Sequence, residues 1–196
     1  MANLPLAFAE LLGGGVFLVA GISGSSIADV VEGHVTMHPL APDTGSVAAG
    51  AAPGAGGTAV GPLPGVTRWE RTDEGVDASA TPGSPVRAIM GGVVSAILPN
   101  WYAGQPLVIV DTPGLPSGAT GIYYAEQISP NVHIGQQVQA GEQIGTVAQT
   151  GTGLEIGFSK GVLTLAKATT GYVEGQVTQA GLAFRSFLKS IGVGGL

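Results

Sequence analysis

This chain of 196 residues predicts a mainly β domain with short helices before it and an amphipathic helix after it. Three observations carry that prediction. From Arg68 onward the sequence breaks into short apolar runs punctuated by glycine and proline, the pattern of an all-β unit. Upstream, residues 45–64 are dominated by glycine, alanine and proline. Near the end, apolar residues recur at three- and four-residue spacing, which marks a helix with one buried face.

At the amino terminus, 5–12 and 26–32 read as short helices around a glycine-rich stretch, with Ser26 placed to cap the second. The segment 11–27, from Leu11 to Ile27, is apolar apart from glycine and serine, and no lysine or arginine precedes Arg68. A secretion signal needs a basic leading region, so none is expected here. A membrane span is the least favoured reading: Gly13, Gly14, Gly15, Gly21 and Gly24 weaken a helix, Ser23, Ser25 and Ser26 lower its hydropathy, and basic anchors are missing. Burial against other protein chains ranks first and an isolated small helix pair second, because an uncovered apolar segment implies a partner surface. The 45–64 stretch has too little side chain to offset the cost of ordering and is expected to be an extended tether unless a partner clamps it.

Seven strands are expected, at 86–89, 92–98, 107–110, 121–128, 143–149, 154–158 and 162–165, most of them joined through the glycine or proline that tight reversals require. The last element is a helix over 174–191. Val177, Ala180, Gly181, Phe184, Phe187, Leu188 and Ile191 form its apolar stripe, with Gln176, Gln179, Arg185 and Lys189 opposite. The stripe must bury on the β domain or on a neighbour, and the glycines of 192–195 end the helix. The chain thus divides into an assembly segment (1–44), a linker (45–64), a β domain (65–170) and a helical tail (171–196).

Composition excludes some functions. A net charge of −6 with only 10% charged residues offers no basic stripe for nucleic acid. Without cysteine there are neither disulfides nor thiolate metal ligands, and cysteine usage leaves the redox compartment open.

The region beginning Arg71-x-Asp73-x-Gly75-x-Asp77-x-x-Ala80-x-x-Gly83-x-Pro85-Val86-x-Ala88 resembles the opening motif of the lysostaphin-like peptidoglycan endopeptidases, in which a histidine stands where this chain has Asp73. The resemblance continues through Ile134-Gly135-Gln136-x-Val138 and Gly141-x-x-Ile144-Gly145. It implies an antiparallel β-sheet or sandwich of the duplicated hybrid motif type. In the family zinc is held by the first histidine, the aspartate and the last histidine of a His-x-His pair, while two more histidines orient and activate water. Carried over, the ligand positions are Asp73, Asp77 and Glu155, and the catalytic positions are Glu126 and Gly153; only Asp77 is unchanged. His34, His38 and His133 all fall elsewhere.

Those replacements change the chemistry expected of the site. Three carboxylates suit calcium, magnesium or manganese better than zinc, which prefers nitrogen and sulfur donors. Gly153 cannot shuttle a proton or donate to an oxyanion, and Glu126 would need a Lewis acid in front of it to act as a base. No cofactor is therefore expected, and the chain reads as a former enzyme. The carboxylates have two readings: Asp73, Asp77, Glu126 and Glu155 converge on a hard divalent cation, or they are solvated or paired with Arg68, Arg71 and Arg87 in surface ion pairs, the reading favoured here. Trp101, Tyr102 and Tyr124 are candidate groove residues, with packing as the alternative fate of each aromatic. The loop 111–120 falls where family members shape the substrate groove.

Three functions are weighed on these grounds. The favoured one is a non-catalytic structural component of a phage virion, tail-associated, located in the particle and touching other virion proteins or copies of itself through 11–27 and the last helix. That placement removes the need for a signal peptide on a cell-wall-type domain. The alternatives are a peptidoglycan endopeptidase with a carboxylate metal site, and a non-catalytic peptidoglycan-binding or regulatory module.

Overall fold

A computed structural model describes residues 58–169 and 171–196. The expectations for 1–44, for His34 and His38, and for the first part of the linker lie outside the described residues.

The β domain is built from eleven strands in two sheets. They are β1 (Val66–Thr72), β2 (Val76–Ala80), β3 (Pro85–Arg87), β4 (Gly92–Tyr102), β5 (Gln105–Asp111), β6 (Gly121–Glu126), β7 (Ile128–Pro130), β8 (Gln137–Val138), β9 (Gln143–Val147), β10 (Leu154–Lys160) and β11 (Leu163–Thr164). The larger sheet has the order β1-β2-β10-β6-β5-β4-β8, with β11 added beside β10; the smaller is β3-β9-β7. Every pairing is antiparallel, as expected. A short helix α1 (Leu165–Thr169) and a longer α2 (Gln179–Ser190) come after the strands.

Side-chain alternation decides what each face of the larger sheet does. Val76, Ala78, Val108, Val110, Tyr124, Leu154, Ile156 and Phe158 enter the main core together with Val86, Ile144 and Val147 of the smaller sheet and Phe184 and Leu188 of α2. Phe158, Phe184 and Phe187 form a three-ring cluster, the first two edge to face at 4.9 Å. On the opposite face Ala96, Leu107, Ile109, Tyr123 and Ala125 make a smaller cluster flanked by Leu98 and Trp101.

Several expectations shift. The hairpin of β1 and β2 is not among the expected strands, although its residues lie within the motif, and neither is the short β8. The expected strand 121–128 splits into β6 and β7 at Glu126, whose φ of 69° ends the ladder. The stretch 58–64 is not a free tether: the Val60 N–H donates to Ile89 O, Pro62 O accepts from the Arg87 N–H, and Leu63 is buried in the core. The tail helix begins at Gln179 rather than 174, capped by Thr178, whose hydroxyl accepts from the Gly181 N–H. Its stripe buries on the β domain through Ala180, Gly181, Phe184 and Leu188, while Val177 stays exposed. Among the described residues no helix is long and apolar enough to cross a membrane.

Candidate functional site

Sheet register and the turn between β1 and β2 bring the three ligand positions together. Asp77 on β2 and Glu155 on β10 sit directly opposite each other in the antiparallel ladder, so their side chains share one face. Asp73 lies in the turn between β1 and β2, and its carboxylate accepts from the Glu74 N–H at 2.8 Å. One oxygen from each of Asp73, Asp77 and Glu155 falls within 4.8 Å of the others. Asp73 and Glu155 are buried; Asp77 is half-buried.

Two glycines make room for this arrangement. A Cβ on Gly157 would stand 2.6 Å from the Tyr123 ring, and one on Gly75 would meet Ile156 O at 2.3 Å and the Tyr123 hydroxyl at 2.5 Å. Tyr123 therefore lies flat across the strand and donates to Glu155 Oε1 at 2.7 Å, while the Gly75 N–H donates to the same oxygen at 2.9 Å. Burial pushes the Glu155 carboxyl up to about 8, against the hydrogen bond from Tyr123, with the charges of Asp77, Glu74 and Asp73 adding to the rise. Burial, then the charge of Asp73, raise Asp77 to about 6 in spite of Arg71.

A guanidinium holds two of the three acids. Arg71 Nε lies 2.8 Å from Asp73 Oδ2 and 3.0 Å from Asp77 Oδ2, and its Nη2 reaches Glu174 Oε1 at 3.2 Å. Burial works against that charge, but Asp77, Asp73 and Glu174 outweigh it and hold the guanidinium above its usual range. The Tyr172 hydroxyl is 3.1 Å from Asp73 Oδ2 and 2.9 Å from Glu174 Oε2. Beside this network the buried Glu74 pairs with Lys167 Nζ at 2.7 Å and accepts from the Thr164 hydroxyl. The Lys167 ammonium also stands 4.4 Å from the Trp101 ring centroid and 5.2 Å from that of Tyr172, a cation over two aromatic faces.

Of the three arginines named for the carboxylates only Arg71 reaches them, at Asp73 and Asp77; Arg68 pairs with Glu70, Arg87 lies on β3 in the smaller sheet, and the buried Asp73 and Glu155 are not the solvated surface groups expected. Glu126 and Gly153 line the same cleft, of about 340 Å³, as do Trp101 and Tyr102. Glu126 accepts from the Thr152 hydroxyl, and burial raises its carboxyl above the usual range. Its left-handed backbone is an uncommon conformation for a residue with a side chain.

Tyr124 is a correction. It is not a groove residue: it is fully buried on the core side, where its hydroxyl accepts from the Ile89 N–H. Period-two alternation turns Tyr123 to the site and Tyr124 away from it. Sequence reasoning also missed Glu74, Lys167, Tyr172 and Glu174. The last three border or lie beyond the end of the β domain, where nothing in their spacing points to the cleft.

Zinc, which the resemblance implies, finds a poor set of donors here. The three positions offer carboxylate oxygens only, two of them already bound to a guanidinium, whereas zinc centres are built from imidazole and thiolate with few carboxylates. His133, the remaining imidazole among the described residues, is exposed between β7 and β8.

Comparison with known proteins agrees with the motif. Residues 71–165 match the profile of Peptidase family M23. Among solved structures, a peptidase M23 from Pseudomonas aeruginosa shares 24% identity over 54% of this chain and 46% of its own, with a TM-score of 0.42. The antimicrobial peptidase lysostaphin from Staphylococcus simulans shares 25% over 62% of this chain and 44% of its own, with a TM-score of 0.44. The catalytic domain of that enzyme shares 27% over 53% of this chain and 80% of its own, with a TM-score of 0.35. The chain spans less than half the length of the first two. No curated protein matches it. With the opening motif, the register that joins Asp77 to Glu155 and the profile match all falling on one stretch, residues 71–165 form a lysostaphin-like domain of peptidase family M23.

Proposed function

We propose that this chain is a non-catalytic structural component of a phage virion, tail-associated, which uses an M23 domain as a scaffold and takes no metal cofactor. The observation that carries the non-catalytic part is the Arg71 bridge between Asp73 and Asp77, in a site that offers no imidazole among the described residues. Hydrolysis of an amide needs a polarising cation with an open position for water and a group that moves protons near neutral pH. Here Asp73 and Asp77 are engaged by the chain's own cation, and Gly153 has no side chain to contribute.

The virion part is supported by the apolar stretch 11–27, which calls for neighbouring protein surface, and by an M23 domain whose likeness points to the bacterial wall. In an assembly the neighbours would repeat by symmetry. Two measurements test the two parts separately. Incubated with purified peptidoglycan and zinc or manganese, the full chain should release no soluble peptide; release that disappears in Asp77→Ala would instead make it an endopeptidase. Mass spectrometry of purified particles should find the chain at a fixed ratio to tail proteins, and its absence from particles would refute the structural role.

A second reading, a peptidoglycan-binding module, has one observation in its favour: the cleft is open and walled by Trp101 and Tyr102, aromatic surfaces suited to sugar or peptide. Retention on purified cell wall, lost in Trp101→Ala, would select it.

A further inference from the structure

The three carboxylates are a poor donor set for zinc, and the chain places its own cation against two of them. We infer that the Arg71 guanidinium is the resident cation of this site in place of a divalent metal, and that Tyr172 and Glu174 tie the tail to it at the rim of the cleft, with Lys167 on Glu74 beside them. This deepens the non-catalytic reading of the same cleft.

Four sets of contacts lead there. Arg71 Nε is shared between Asp73 and Asp77 at 2.8 and 3.0 Å, so one planar fork joins the turn of the hairpin to β2. Its other edge faces Glu174, which belongs to the segment after the matched domain. Tyr172, from that same segment, reaches both Asp73 and Glu174, and the Gly175 N–H donates back to its hydroxyl. Lys167 neutralises Glu74 and fills the space between Trp101 and Tyr172.

The tail is locked to the same turn by a second set of contacts. Thr178 donates to Asp73 O through its hydroxyl and its N–H, Arg185 donates to the Thr72 hydroxyl at 2.8 Å, and a Cβ on Gly181 would lie 2.3 Å from Asp73 O. The backbone of the turn thus carries α2, and its side chains carry Arg71 and Tyr172. A divalent ion entering the three carboxylates must displace the guanidinium, and doing so breaks the Arg71–Glu174 pair and leaves Glu174 to Tyr172. Metal uptake and attachment of the tail to Arg71 are therefore competing states of one site, and the chain's own charges favour attachment.

The test titrates the full chain with Mn²⁺ and Zn²⁺ by calorimetry, with hydrogen exchange of amides 171–178 as a second readout. The wild type is expected to show no saturable site. Arg71→Gln should gain one Mn²⁺ site, at least about tenfold tighter than any wild-type uptake, which Arg71→Gln combined with Asp77→Asn should lose again. Its 171–178 amides should exchange faster than in the wild type. Should Arg71→Gln fail to fold, Glu174→Gln keeps the guanidinium in place and must speed exchange across 171–178 without creating a metal site. Wild-type uptake of Mn²⁺ or Zn²⁺ as tight as in Arg71→Gln, or exchange unchanged in Glu174→Gln, overturns the inference. A wild type that binds metal yet leaves peptidoglycan intact would sink this inference alone, whereas peptide release would sink the non-catalytic reading.

Discussion

Glu155 is held by the fold more comfortably with its proton than without it. Its carboxyl titrates at about 8 in the folded chain against the usual 4.5, so the folded state binds the proton more tightly than the unfolded state. The stabilisation this proton brings is full below about pH 4.5 and is lost as pH rises through about 8. Glu155→Gln keeps an oxygen for the Tyr123 hydroxyl and the Gly75 N–H but cannot ionise. Denaturant unfolding of both proteins between pH 5 and pH 9 should show the variant gaining on the wild type as pH rises, by on the order of a few kcal/mol at the top of the range; parallel curves would contradict this. At the same scale, Gly157→Ala presses a methyl group into the Tyr123 ring and should cost about 1–3 kcal/mol by the same assay.

At the scale of elements, the tail helix separates what periodicity reveals from what it hides. Ala180, Phe184 and Leu188 face the core as their spacing implies. Val177 continues that spacing but lies outside the helix and is exposed, because Thr178 takes an extended backbone (φ −109°, ψ 159°) and caps the first turn of α2. The residues from 172 to 175 serve the site instead, through tertiary charge and hydrogen bonding that a helical period cannot report. Phe184→Ala should cost about 3–5 kcal/mol, since it empties the three-ring cluster. Leu182→Ala, at an exposed position of the same helix, should stay within about 0.5 kcal/mol. Equal losses from the two, measured by denaturant unfolding, would mean that α2 does not dock through its Phe184 face. The strands are legible for a related reason: β4, β5, β6, β9 and β10 carry apolar runs bounded by turn residues. The hairpin of β1 and β2 is hidden by its own chemistry, because its charged residues interrupt the apolar runs that mark the other strands.

For the whole molecule, the family frame is visible in the sequence because motif residues keep their order and spacing, and the profile match over 71–165 covers the same stretch. The convergence of Asp73, Asp77 and Glu155 comes with the frame, since register and the turn between β1 and β2 place them. The groups that fill the cleft do not come with it, because Lys167, Tyr172 and Glu174 enter from beyond the frame. The last residues are fastened as well: Trp69 Nε1 donates to Gly194 O at 3.0 Å, so β1 is tied to the tail both at Arg185 within α2 and after it. Domain and tail are thus a single folding unit among the described residues.

The most direct test of the central claim is a crystal structure of the full chain grown in zinc, with anomalous data collected at the zinc edge. Continuous density for the Arg71 guanidinium between Asp73 and Asp77, with no anomalous peak among Asp73, Asp77 and Glu155, is the predicted result. A strong peak bound by those three carboxylates, with Arg71 swung away from them, would contradict it.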